Sequence, residues 1–104
     1  MGVEFQPREP RIGWIIAALR TIESNTTLWL ITINFTPVYT HPIPVDEATR
    51  QEWQELDHLL VHLWTARSIR PVFTYEKAAG LTASGVLVPE LLPELTRMGA
   101  VNEV

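Results

Sequence analysis

The chain has 104 residues, no cysteine and a formal net charge of −4. That length suits one domain with a single core. The missing cysteine excludes a disulfide-stapled scaffold, a thiolate metal site and a thiol nucleophile. The seven arginines are scattered and Lys77 is the only lysine, so the sequence offers no clustered basic surface for nucleic acid or an anionic membrane.

Residues 1–9 are polar and proline-containing, without the apolar stretch of a signal peptide. They are expected to form a flexible leader ahead of a single α/β domain over 10–104. The longest apolar run, Trp14 to Leu19, falls far short of the roughly 20 residues that span a bilayer. The expected setting is intracellular and cytoplasmic.

Pro10 suits the first turn of a helix, where a missing N–H costs nothing. In that helix Ile12, Ile15, Ile16, Leu19 and Ile22 fall on one stripe, and Trp14 projects away from it. Ser24 to Thr27 turns the chain. A strand follows, with Trp29, Ile31, Ile33 and Phe35 on one face and Leu28, Leu30, Thr32 and Asn34 on the other. Both faces are largely apolar, as in a strand covered on two sides. The proline-rich segment Thr36 to Pro44 reads as an extended loop.

Asp46 is a suitable N-cap for a long helix reaching about Ser68. Trp53, Leu56, Leu59, Leu60, Leu63 and Trp64 make its apolar arc. Arg70 to Glu76 is a second strand, with its proline near the start. Lys77 to Val88 is a connector. Pro89 to Met98 reads as a third helix closed by Gly99, and Ala100 to Val104 as a third strand. The spacing therefore predicts a leading helix followed by βαβαβ, a small, mainly parallel three-stranded sheet covered by helices. Its expected core includes Trp29, Ile31, Ile33, Trp53, Leu56, Leu60 and Trp64.

The order Leu19-Arg20-Thr21-Ile22-Glu23-Ser24, then Leu28 to Ile33, then Trp53 with Leu56-Asp57 and Leu60, then Leu91-Leu92-Pro93-Glu94-Leu95 with Gly99 and Val101 resembles the C-terminal region of basidiomycete F-box-like proteins. The resemblance implies a fungal protein built from leucine-rich-repeat-like helix–strand units with a partner-recognition role. The matched region contains no F-box. What the resemblance implies is thus a terminal fragment of a leucine-rich-repeat-like adaptor, an interaction module without the link to a ubiquitin ligase.

No constellation in the sequence identifies a reaction. His58 and His62 lie one turn apart with Glu55 on the same side. This is the only trio resembling a metal site, and it is short of the four protein ligands of a structural zinc. Gly80 to Gly85 lacks the Lys-Ser/Thr of a phosphate-binding loop. Ser24, Ser68 and Ser84 lack the context of a nucleophile elbow. Asp57 borders the apolar arc and is expected to hydrogen-bond a neighbouring loop N–H. Trp14, Tyr39, His41 and Ile43 are the expected partner-binding residues, since aromatics and extended proline segments favour recognition. The expected function is a non-enzymatic protein-interaction or assembly module without a cofactor. It would bind a protein partner or pair as a homodimer through its open sheet edges. The alternative is a small-ligand or metal-binding protein using the histidine pair.

Overall fold

Apolar residues at every second position over short runs favour strands with one buried face, and the described residues form four strands in all. The structure, a computed structural model, describes residues 1–38, 46–75 and 88–103, and for 101–103 the backbone only. In chain order the elements are β1 (Gly2–Phe5), α1 (Gly13–Ile22), β2 (Leu30–Asn34), α2 (Glu47–Arg67), β3 (Arg70–Tyr75), α3 (Val88–Leu91), α4 (Pro93–Arg97) and β4 (Val101–Glu103). The strands form one sheet in the order β1-β2-β3-β4, and all three pairings are parallel. The α/β class and the parallel sheet are as the sequence predicts.

The sheet has one strand more than expected, because the segment expected to be a flexible leader is partly β1. Gly2 to Phe5 runs in register with Leu30 to Ile33, and Val3 and Phe5 pack against the core. Two alternating apolar residues are too short a signal to read in a polar, proline-containing stretch. Backbone pairing with β2 makes the strand.

The expectation of a sheet covered on both sides is also corrected. The register aligns Val3, Ile31 and Pro71, and then Phe5, Ile33 and Phe73. These rows, with Phe35 and Tyr75, face the single core that holds Ile15, Ile16 and Leu19 of α1, Trp53, Leu56, Leu60 and Leu63 of α2, and Leu91 and Leu95 of the last two helices. The intervening residues Leu30, Thr32, Asn34, Val72 and Thr74 stay half-exposed. The described helices therefore lie on one face. Phe35 centres the core, its ring 4.8 Å from Trp53 and 6.1 Å, edge-on, from Phe73.

Long and amphipathic, α2 organises its neighbours. Asp46 caps it by accepting the Thr49 N–H at 2.6 Å, and Ser68, in the left-handed conformation at φ 56°, closes its last turn. Pro10 lies outside α1, contrary to expectation; its carbonyl accepts the Trp53 Nε1–H at 2.7 Å. The start of α1 has no cap of its own. Glu52 of α2 supplies one, accepting from the Ile12 N–H at 3.3 Å and from Arg11 Nε at 2.7 Å. A Cβ at Gly13 would stand 2.7 Å from Glu52 Oε2, so a larger residue there would displace the carboxylate that makes this cap. The expected single helix over 89–98 is two short ones. Pro93 cannot donate to a preceding turn and its ring crowds it, so the chain breaks at Leu92 and Pro93 opens α4.

Candidate interaction surface

The sheet face away from the described helices carries rows set by the register. Glu4, Thr32 and Val72 align in one row, and Asn34 and Thr74 in the next. Asn34 Oδ1 accepts from the Thr36 N–H at 3.0 Å and from Thr74 Oγ1 at 3.3 Å. This pair ties the C-terminal ends of β2 and β3 together. Among the described residues, β1 and β4 each pair on one side only.

The expected partner residue Trp14 is exposed and meets Phe5 edge-to-face at 6.0 Å. Tyr39, His41 and Ile43 lie outside the described residues. His58 and His62 are exposed on α2 and share a shallow groove with Glu55, but Glu55 is engaged by the Arg20 guanidinium. Among the described residues, no three His, Cys, Asp or Glu side chains are placed to hold a metal ion.

Of the expected core, Ile31, Ile33, Trp53, Leu56 and Leu60 are buried, whereas Trp29 is 58 % and Trp64 40 % exposed. Trp29 has the parity of Ile31 but precedes the first residue of β2, beyond the reach of the helix layer. Trp64 follows Leu63 by about 100° around the helix axis, and Leu63 holds the core position.

Asp57 has the bonds that its place at the edge of the apolar arc requires. It is buried, and its two oxygens accept from the Glu94 N–H at 3.2 Å and the Leu95 N–H at 3.0 Å. These are unpaired donors at the start of α4. Burial holds the Asp57 carboxyl above its ordinary value, while the two N–H bonds pull it down less strongly. The adjoining cleft of about 310 Å³ is lined by Arg50, Gln54, His58, Glu90, Pro93 and Glu94, among others. Its buried carboxylate is committed to holding α4.

A further surface was not legible in the sequence. Trp29 donates its N–H to the Met1 carbonyl at 3.0 Å and accepts from the Arg70 N–H at 2.9 Å. Arg70, in turn, lines a pocket of about 250 Å³ with Trp64, Pro71, Met98, Gly99 and Ala100. Met1, Trp29, Trp64 and Met98 are four of the five large exposed apolar side chains among the described residues, and all four lie where the strands begin. The sequence shows these residues far apart, and only the parallel register brings them to one end.

No helix among the described residues is long and apolar enough to cross a membrane. Comparison with family models, with curated proteins and with solved structures gives no match for this chain.

Proposed function

We propose that the protein is a non-enzymatic interaction module that assembles through its sheet, the β4 edge of one copy lying beside the β1 edge of the next. The observation that carries this reading is the strand order. Four parallel strands follow one another in sequence, and the described helices lie on one face. Such an arrangement advances by one strand per unit, so its two edges are complementary ends of one ladder. Both edge strands are short, four residues in β1 and three in β4, and their unpaired N–H and C=O groups form a template for another strand. Head-to-tail contacts of this kind build rings where the rotation closes and open arrays where it does not. The leucine-rich-repeat-like region that the sequence resembles would assemble by the same logic within one chain. The non-enzymatic reading is supported by the carboxylates of α2, since Glu52, Glu55 and Asp57 are all engaged in structural bonds. An intracellular, cytoplasmic setting belongs to the same proposal and suits a cysteine-free sequence.

Light scattering over a concentration series tests the assembly. The expected result is a mass that rises above the monomer with concentration, together with slower amide exchange in β1 and β4. A monomer mass at every concentration, with exchange unchanged, overturns the reading.

A further inference from the structure

The geometry points to a second, separate docking site at the strand-start end of the molecule, one that takes a short acidic and apolar segment of a protein partner. Such a segment would set an aliphatic side chain against Trp64 and Met98 and a carboxylate on Arg70.

Three observations choose this occupant. The pocket walled by Trp64, Pro71 and Met98 holds about 250 Å³. That is below the range of about 300–1,000 Å³ typical of small-molecule sites and suits an anchoring side chain. Arg70 is exposed at its rim, and among the described residues no carboxylate pairs with it. The other arginines at this end are already used: Arg67 donates to the Asn25 carbonyl and Arg97 pairs with Glu94, both in the last turns of helices, where a cation offsets the helix dipole. Arg70 is therefore a cation flanked by apolar surface on a chain of net charge −4, and charge complementarity selects a carboxylate. Its planar fork binds that group through two parallel hydrogen bonds.

The same residue disfavours the other occupants. A second copy docked face to face would set one Arg70 against another, a like-charge contact without compensation. A nucleic acid needs several phosphates neutralised at once, and among the described residues this end offers one unpaired guanidinium beside Trp64. Tryptophan and arginine are the residue types that most often dominate binding energy. The site is independent of sheet assembly, which uses the strand edges.

Fluorescence anisotropy with a labelled synthetic peptide that alternates glutamate and leucine tests the site on the full chain. Saturable binding that weakens as salt rises is expected. Arg70→Glu and Trp64→Ala should each weaken it by about thirtyfold or more. Arg8→Ala, which removes an exposed cation beyond the far end of β1, should leave it unchanged. Circular dichroism on each variant distinguishes lost binding from lost fold, and Arg70→Gln, a milder change at an exposed position, must also weaken binding. The inference is overturned if the peptide fails to bind. It is equally overturned if a lysine–leucine peptide or a single-stranded oligonucleotide binds as well, or if Arg70→Gln binds like wild type. Light scattering on the same samples reads sheet assembly separately, so that failure of either proposal leaves the other standing.

Discussion

The two faces of the sheet are made by the same strands and differ in everything except backbone. On the helix face, Ile31, Ile33, Phe35 and Phe73 are at most 1 % exposed, while Leu30, Thr32, Asn34, Val72 and Thr74 on the other face remain half-exposed. In parallel sheets both faces are commonly covered by crossover helices. Here all the described helices serve one face, so the alternation along β2 and β3 divides residues that pack in the core from residues turned away from it. The sharpest way to break this division is to truncate both sides. Phe73→Ala removes a ring packed edge-on against Phe35 and should cost about 3–5 kcal/mol. Denaturant titration checks this, and a loss below about 1 kcal/mol would mean that the helix face is not the core.

Next in size is the carboxylate that binds α4 to α2. Asp57→Ala leaves the Glu94 and Leu95 N–H groups without their acceptor, and an unsatisfied buried donor costs about 1–3 kcal/mol. The loss should be local as well as global, with faster amide exchange across α4 and the β3–β4 pairing. Its pH dependence has a definite sign. The folded-state pKa of Asp57 is raised, chiefly by burial. The stability tied to this group is therefore complete below the ordinary carboxylate range and is lost as pH rises through the raised native value. Asp46 behaves oppositely. Its pKa is lowered by the bond from the Thr49 N–H, so its contribution is present above the ordinary range and is lost as pH falls. Compared with wild type, Asp57→Asn should gain relative stability as pH rises through that interval and Asp46→Asn should lose it. Parallel profiles for the two variants would contradict both assignments.

What the sequence made legible follows from the range of each signal. The stripe Ile12, Ile15, Ile16 and Leu19, the Asp46 cap and the alternation in Leu30 to Asn34 are local patterns, and the structure reproduces them. β1 was not legible, because two apolar residues in a polar stretch acquire meaning only from pairing with β2. The exposure of Trp29 and Trp64 was hidden for a related reason. Both lie at the periphery of a period that predicts burial, and only the ends of the helix layer decide where burial stops. The bond from Arg20 to Glu55 across two helices is a long-range contact that no local spacing shows. Arg70, Trp64 and Met98 come from three separate segments, so no spacing rule unites them.

The smallest effects belong to the open face, and their smallness is informative. Asn34→Ala removes the acceptor shared by Thr36 and Thr74 and should cost about 1 kcal/mol, the net worth of a modest hydrogen-bond pair. Thr32→Lys should change stability by no more than about 0.5 kcal/mol, as for a surface position away from caps and packing. The lysine stem can lie over Val72, and the ammonium aligns with Glu4 across the register, so the new charge meets an opposite one. A loss of several kcal/mol in a denaturant titration of Thr32→Lys would show that this face is buried in the folded state. The division between a face that packs in the core and a face turned away from it would then fail at its centre.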